Sequence, residues 1–204
     1  MSTPTPQETL RADLGIIAHH VARGSRVLDV GCGDGALMAA LRDERAVDAR
    51  GLEIDPGNVA AAVGRGLSVI QGDADVDLQG YPDASFDYAI LSQTLQTARA
   101  PDLVLDHLLR IGRRAFVSFP NFAHWRVRLS LLWGGRMPVT RQLPESWYDT
   151  PNIRVATFAD FEVLARKNGL RILDSFGLNG GGGERVDRWP NLLASTAVFK
   201  FERH

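Results

Sequence analysis

Two patterns of apolar residues alternate along most of the chain. Short, nearly continuous apolar runs predict buried strands, and apolar residues spaced three or four positions apart predict helices. Up to residue 120 the two patterns follow one another at intervals of roughly 20 to 25 residues, which is typical of βαβ units and a parallel sheet. The apolar runs predict seven strands, at residues 27–30, 49–54, 67–71, 86–91, 115–119, 170–176 and 195–201.

Polar residues mark where several helices begin. Asp55 followed by Pro56 predicts an N-cap and a first helical residue. Thr157 together with Asp160 predicts a reciprocal cap for a later helix. No helix is expected between the last two strands, which indicates an antiparallel edge. The sequence therefore predicts a Rossmann-like α/β fold, with a mostly parallel seven-stranded sheet, an antiparallel edge and helices on both faces.

A single domain over residues 1–204 accounts for this pattern, and residues 1–8 are expected to form a polar, proline-rich tail. Residues 122–156 interrupt the alternation, and we expect this segment to be a substrate lid or a partner surface. Trp147 and Tyr148 within it are typical interface anchors. Its first part predicts an amphipathic helix with arginines in water and buried apolar residues, namely Trp125, Leu129, Leu132 and Trp133.

Composition narrows the function classes. A net charge of −1 gives no electrostatic reason to expect nucleic acid or an anionic membrane as the main partner. No apolar run approaches the ~20 residues that span a bilayer, and the polar start of the chain does not resemble a secretory signal. The single cysteine, Cys32, has no partner for an internal disulfide. We expect a cytoplasmic protein.

A glycine-rich stretch follows the first predicted strand directly. Gly31, Gly33 and Gly35 lie in five residues, where a tight turn brings backbone N–H groups to the start of a helix. This arrangement predicts a site for a nucleotide-type cofactor. Gly31, Gly33 and Ala36 also satisfy the dinucleotide-binding pattern Gly-x-Gly-x-x-Gly/Ala. A match of this length is weak by itself, and a purely structural turn is an alternative explanation.

Three carboxylates are expected on the same rim of the sheet. Asp29 precedes the glycines within the first strand, Glu53 ends the second strand, and Asp73 follows the third. An acidic residue in the position of Glu53 accepts hydrogen bonds from ribose hydroxyls in related α/β proteins. Structural roles compete with each assignment, because Asp29 can hold the loop and Asp73 can be a turn residue. Asp55 is better explained as a helix cap than as a ribose ligand.

These motifs together resemble those of the class I S-adenosylmethionine-dependent methyltransferases. The resemblance covers residues 26–120 and lies in the stretches 29–35, 51–55, 72–74 and 86–91. It implies that the cofactor is S-adenosylmethionine or S-adenosylhomocysteine, with Glu53 on the ribose. It implies that the glycine loop contacts the methionine moiety, through Gly31, Cys32, Gly33, Asp34 and Gly35 together with Asp29. It further implies that Ile54, Asp73 and Ala74 lie at the edge of the adenine ring, and that Ser92 and Gln93 line the same pocket.

A narrower resemblance extends over almost the whole chain. The stretches 91–96, 119–122, 133–138 and 147–154 resemble the bacterial methionine biosynthesis protein MetW family. Members are associated with a homoserine O-acyltransferase, with which they are thought to cooperate or form a complex. The resemblance thus implies that enzyme as a partner.

No residue stands out as a catalytic group. The Asn/Asp-Pro-Pro-Tyr/Phe signature of amino-methylating relatives is absent after the fourth strand, where 92–95 reads Ser-Gln-Thr-Leu. The histidines and Cys32 show no metal-ligand spacing, and Cys32 is interpreted as a small loop residue. The lack of a base favours an accessory protein over an enzyme that methylates an unknown small acceptor. A nicotinamide-dependent oxidoreductase is a weaker alternative, since no substrate domain is visible.

Overall fold

The computed structural model describes residues 10–140, 143–179 and 183–203. The predicted tail at 1–8 lies outside these ranges. One sheet of eight strands, in the order β3-β2-β1-β4-β5-β8-β6-β7, forms the centre of the molecule. The strands are β1 (Arg26–Val30), β2 (Asp48–Glu53), β3 (Ser68–Gln71), β4 (Phe86–Ser92), β5 (Gly112–Pro120), β6 (Leu170–Asn179), β7 (Glu184–Val186) and β8 (Thr196–Arg203).

The first five strands are all parallel, as the alternating pattern predicts. β1 pairs with both β2 and β4, and β5 continues the parallel set beside β4. β8 runs antiparallel to both β5 and β6, which confirms the predicted antiparallel edge. The sheet has eight strands rather than seven, because β7 adds a short antiparallel strand beside β6. β7 has three residues and no apolar run, so the hydrophobic pattern gives no signal for it.

Helices cover both faces of the sheet, as predicted. They are α1 (Ala12–His20), α2 (Ala36–Arg45), α3 (Pro56–Gly64), α4 (Ala74–Asp77), α5 (Pro101–Ile111), α6 (Trp125–Gly134), α7 (Phe158–Lys167) and α8 (Pro190–Leu193). Asp55 caps α3 by accepting a hydrogen bond from Asn58 N–H, and Thr157 and Asp160 form the reciprocal cap of α7. The expectation of no helix between the last two predicted strands was wrong, because the four-residue α8 lies between β6 and β8. None of the helices in the described ranges combines the length and the apolar character needed to cross a membrane.

Two apolar clusters lie on opposite faces of the sheet. Leu28 and Val30 point toward α5 and α7, and Val27, on the other face of β1, points toward α1 and α2. Because side chains alternate along a strand, Asp29 shares the face of Val27. The strand pattern therefore directs one carboxylate to the side of the sheet that α1 covers.

Candidate functional site

The glycine loop between β1 and α2 adopts a backbone that side chains disfavour. Gly31, Gly33 and Gly35 have φ values of +70°, +56° and +80°. A Cβ at Gly31 would lie 2.3 Å from Thr94 Oγ1, and one at Gly35 would lie 2.3 Å from Leu67 Cδ1. A Cβ at Gly33 would meet no heavy atom within 4 Å. Glycine is thus required by close packing at two positions, and the loop is open at the third.

Glu53 holds this loop against the end of β2. Its Oε2 accepts a hydrogen bond of 2.7 Å from Gly33 N–H, and its Oε1 accepts one of 2.9 Å from Asp55 N–H. The Gly31 N–H donates to the Leu52 carbonyl at 2.7 Å. The loop and the carboxyl end of β2 therefore form one rigid unit. The sequence predicts that Glu53 binds a ligand. The structure shows that Glu53 also holds the glycine loop against β2.

Asp29 is an almost fully buried carboxylate, with 2% of its surface exposed. No donor in the described ranges hydrogen-bonds to it, so its partners act through charge alone. Burial raises its pKa to about 7; the charge of Arg11 lowers the pKa and that of Glu53 raises it further. An unpaired buried carboxylate beside an open loop is suited to a cationic ligand group.

A buried polar cluster, absent from the sequence-based prediction, lies next to Asp29. Asp13 at the start of α1 accepts hydrogen bonds of 2.8 Å from Ser92 Oγ and Ser118 Oγ. Arg11 pairs with the same carboxylate through Nε at 2.9 Å and Nη2 at 3.0 Å. Burial acts to raise the pKa of Asp13, but Arg11 and the two hydroxyls outweigh it and the pKa is lowered. The cluster fixes the start of α1 over the carboxyl ends of β4 and β5.

A cavity of about 270 Å³ opens beside the glycine loop. Four predicted residues line it, namely Gly31, Ile54, Asp73 and Ala74. Asp73 also caps α4, because its Oδ1 accepts a hydrogen bond of 2.9 Å from Asp75 N–H. Asp73 therefore has a structural role as a cap in addition to its place on the cavity wall. Other lining residues, missed from the sequence, come from the region after β4 and from the 122–156 segment, including Thr94, Thr97, Arg99 and Pro151.

The remaining predicted residues lie around the cavity rather than on its wall. Ser92 is buried and bonded to Asp13 and Ser118, and Gln93 has a left-handed backbone with φ of +55°. Asp34 faces outward and forms an ion pair with Arg65 at 2.8 Å. Cys32 is buried against an apolar cluster, and burial raises the pKa of its thiol. This environment keeps Cys32 protonated, in agreement with its interpretation as a small loop residue.

A second cavity, of about 360 Å³, lies at the ends of β5 and β6 and shares no lining residue with the first. His124, the N-cap of α6, contributes to its wall. Burial lowers the pKa of His124, and Arg126 lowers it further. Among the residues that the structure describes, no group of three or more His, Cys, Asp or Glu side chains is placed to hold a metal ion.

The apolar residues of α6 do not pack as predicted. Leu132 and Trp133 are 74% and 78% exposed, and Trp125 is also exposed. Val127 is the buried residue of this helix. The prediction that α6 buries Trp125, Leu132 and Trp133 was wrong, because these side chains face away from the sheet, whereas the fourth predicted residue, Leu129, is partly buried. Trp147 and Tyr148 in the following loop are exposed as well.

Comparison with known proteins gives matches over most of the chain. The family described as methionine biosynthesis protein MetW matches residues 11–201. A bifunctional methionine biosynthesis protein MetXA/MetW from Rhodopirellula baltica is 36% identical over 96% of this chain, which spans about a third, 33%, of that protein. A ubiquinone biosynthesis O-methyltransferase from Xylella fastidiosa is 31% identical, over 94% of this chain and 79% of its own length.

Solved structures show the same fold. An S-adenosylmethionine-dependent methyltransferase from Thermotoga maritima superposes with a TM-score of 0.68 at 16% identity, covering 95% of this chain and 88% of its own. The fold is thus that of the class I methyltransferases, as the sequence motifs imply. Since the family match extends over nearly the whole described chain, this protein belongs to the MetW family of methionine biosynthesis proteins.

Proposed function

We propose that this protein binds S-adenosylmethionine or S-adenosylhomocysteine and acts in methionine biosynthesis together with a homoserine O-acyltransferase. The observation that carries the cofactor proposal is Asp29. This carboxylate is buried, lies next to the glycine loop and has no hydrogen-bond donor in the described ranges. A cationic group of a ligand would compensate its charge. S-adenosylmethionine carries two cationic groups, an ammonium and a sulfonium.

The residues around the cavity fit the rest of this ligand. Glu53 retains a lone pair on each oxygen after accepting its two backbone N–H groups, so it can accept from ribose hydroxyls. Ile54, Asp73 and Ala74 offer an apolar surface and one carboxylate to an adenine ring. The volume of the cavity, about 270 Å³, is close to the lower limit of ~300 Å³ that is usual for ligand-binding sites. This volume suits the nucleoside part of the ligand. When bound, S-adenosylmethionine supplies a methyl group activated by its sulfonium.

The cavity wall favours binding over catalysis. Its described lining contains no histidine, lysine, tyrosine or cysteine that would serve as a base toward an acceptor. Its two carboxylates, Asp73 and Asp75, accept hydrogen bonds from backbone N–H groups of α4 and of the chain after β4. We therefore assign the protein an accessory role, in which the cofactor is a signal.

The partner part of the proposal is supported by one relative and one surface. The Rhodopirellula relative carries a MetW-like region within a protein whose name also includes MetXA. The 122–156 segment exposes large apolar side chains that are typical of interface anchors, namely Leu132, Trp133, Trp147 and Tyr148. We infer that this segment is a partner surface rather than a substrate lid.

A catalytic methyltransferase is the second candidate. The observation that favours it is the 31% identity to an O-methyltransferase over 79% of that enzyme's length. Release of S-adenosylhomocysteine in the presence of a small acceptor would support this candidate. The sheet order disfavours the oxidoreductase alternative, because β8 runs antiparallel between β5 and β6, unlike the parallel sixth strand of dinucleotide-binding domains.

Calorimetric titration with S-adenosylmethionine and S-adenosylhomocysteine tests the cofactor proposal. We expect saturable binding by the unmodified protein and loss of binding in Asp29→Ala and Glu53→Ala, with circular dichroism confirming that both variants are folded. Absence of binding at millimolar ligand would refute the cofactor proposal. Mixing with the acyltransferase of the same organism, with and without ligand, then tests the accessory role through complex formation and the rate of acyl transfer.

A further inference from the structure

The second cavity, of about 360 Å³, lies on the rim of the sheet where open α/β sheets bind ligands. β5 and β6 both run antiparallel to β8, so their carboxyl ends, Pro120 and Asn179, lie on the same rim. Both residues line the cavity. Its volume falls within the range of about 300 to 1,000 Å³ that is usual for small-molecule sites. Because it shares no described lining residue with the cavity beside the glycine loop, it would hold a second ligand.

Arg126 places an unpaired positive charge on the wall of this cavity. Its guanidinium lies over the ring of Trp125, 5.2 Å from the ring centroid. The guanidinium forms no ion pair or hydrogen bond with any residue in the described ranges. Stacking uses the face of a guanidinium and leaves its in-plane N–H groups free for a ligand. The wall therefore attracts an anion.

The charges on the wall favour a carboxylate over other ionic groups. The described lining residues include no second arginine or lysine, and burial lowers the pKa of His124, which keeps its ring neutral at neutral pH. A single guanidinium matches one carboxylate in a bidentate pair, whereas a phosphate carries a second charge that this wall does not balance. The described wall has no aspartate or glutamate to hold an ammonium, which disfavours an amino acid.

The same wall offers an apolar surface for the body of the ligand. The apolar side chains on it are Pro120, Val127, Val139 and Leu143. Beyond α6, Thr140 and Leu143 are joined by two backbone hydrogen bonds of 2.8 and 3.2 Å, which hold this part of the wall. A ligand that fills the cavity from Arg126 to this part of the wall therefore needs an apolar body.

His124 adds a buried donor that lacks an acceptor. Its Nδ1 accepts a hydrogen bond of 3.4 Å from Arg126 N–H, which assigns the ring proton to Nε2. Burial lowers the pKa of the ring and the Leu193 carbonyl acts to raise it, yet no acceptor in the described ranges lies within hydrogen-bonding geometry of Nε2. The residue is 7% exposed, and an unpaired buried donor costs free energy. Arg126 and His124 thus both favour a ligand with oxygen acceptors.

We propose that this cavity is a binding site for a small monocarboxylate with an apolar body, and that Arg126 binds the carboxylate. The proposal goes beyond the proposed function and does not depend on it. The four side chains assigned to the partner surface, Leu132, Trp133, Trp147 and Tyr148, are not among the described residues of this wall. The 122–156 segment can therefore carry both features.

The test uses 4-phenylbutyrate as the probe and the uncharged 4-phenylbutanamide as its matched ligand. We expect saturable binding of 4-phenylbutyrate in a ligand-observed NMR titration, and binding of the amide at least about 10-fold weaker because it cannot form the charged pair. Arg126→Met should weaken 4-phenylbutyrate binding about 10- to 100-fold, since hydrogen bonds to charged groups are of that strength. Arg136→Met is the matched control: Arg136 is exposed in the same segment but lies outside the described wall, so a change below about twofold is expected.

A cavity-filling variant tests the location of the site. Val139 lines the cavity and is 63% exposed, so Val139→Trp should fill the cavity and abolish 4-phenylbutyrate binding without unfolding the protein, as thermal unfolding would check. No binding by the unmodified protein at millimolar probe, equal binding of the amide, or undiminished binding in Arg126→Met or Val139→Trp would overturn the proposal. Titration with S-adenosylhomocysteine tests the proposed function separately, because the two cavities share no described lining residue.

Discussion

Gly31 and Gly33 lie two residues apart in the same loop, yet an added methyl group would meet different surroundings. Both have positive φ, so alanine costs about 1 to 2 kcal/mol at either position. At Gly31 the new Cβ also collides with Thr94. We therefore expect Gly31→Ala to lower the free energy of unfolding by about 2 to 4 kcal/mol, and Gly33→Ala by about 1 to 2 kcal/mol.

Urea denaturation of the two variants measures this difference. Adding Thr94→Ala to Gly31→Ala removes the nearest atoms, Oγ1 and Cγ2, and is expected to restore part of the loss. Equal destabilisation by the two glycine substitutions would contradict the close-packing explanation.

Asp29 predicts a dependence of stability on pH. Burial raises its pKa from 3.8 to about 7, so the folded state favours the protonated carboxyl. The contribution of the protonated Asp29 carboxyl to the free energy of unfolding is fully present below pH 3.8 and is lost as the pH rises through 7. Asp29→Asn has no proton to lose, so it should stabilise the ligand-free protein at pH 8, by up to about 4 kcal/mol. Urea denaturation at pH 5 and pH 8 tests this; an equal effect at both would contradict it.

The sequence indicates the local part of the site and misses the distant part. Gly31, Glu53 and Asp73 are recognisable because each lies at a strand end within a short motif. Thr97 and Arg99 come to the cavity through the path of the chain after β4, and nothing beside them in the sequence marks a ligand. Tertiary contact alone brings them to the site.

Asn121, at the end of β5, joins three elements through one side chain. Its Nδ2 donates to backbone carbonyls of α8 and the following turn, the shortest contact being 2.8 Å to Ala194 O. Its Oδ1 accepts from Ala123 N–H and Phe158 N–H at 3.2 Å. Removing a buried partner leaves each of these groups unpaired. We expect Asn121→Ala to lower the free energy of unfolding by about 3 to 5 kcal/mol.

Asn191→Ala is a suitable control for this prediction. The Asn191 side chain accepts one hydrogen bond of 3.3 Å from Ala159 N–H, and we expect a loss of about 1 kcal/mol in the same urea titration. A small effect of Asn121→Ala would show that water replaces its contacts.

The hydrophobic pattern predicts elements well where they pack on the sheet. The seven predicted strands and the caps of α3 and α7 are present, because burial and capping leave direct signals in the sequence. α6 forms where predicted, but three of its large apolar residues, Trp125, Leu132 and Trp133, face outward. Periodicity shows that a helix has an apolar side, and it does not show which surface covers that side.

The 122–156 segment reaches the cavity beside the glycine loop. Pro151 lines the cavity, and the next residues, Ile153 and Arg154, donate backbone N–H groups to the Gln96 carbonyl at 3.0 and 2.9 Å. Arg154 Nη2 also donates to the Arg99 carbonyl at 2.7 Å. If the cavity binds a ligand and the segment binds a partner, as proposed, these contacts provide a route by which the two can influence one another. Any such effect must be reciprocal, so the partner would change ligand affinity by the same factor.

The proposed partner surface is tested with three tryptophans of similar exposure. Trp133 and Trp147 lie in the 122–156 segment and are 78% and 73% exposed, whereas Trp189 lies outside it and is 64% exposed. Truncating an interface tryptophan typically costs 2 kcal/mol or more, about 30-fold in affinity. We expect Trp133→Ala and Trp147→Ala to weaken binding of the homoserine O-acyltransferase by at least about 10-fold, and Trp189→Ala to leave it unchanged.

Ligand binding provides the control for these variants. Because none of the three tryptophans lines the cavity beside the glycine loop, calorimetry should show unchanged binding of S-adenosylhomocysteine in all of them. Equal weakening by Trp189→Ala would assign the effect to general surface hydrophobicity rather than to this segment.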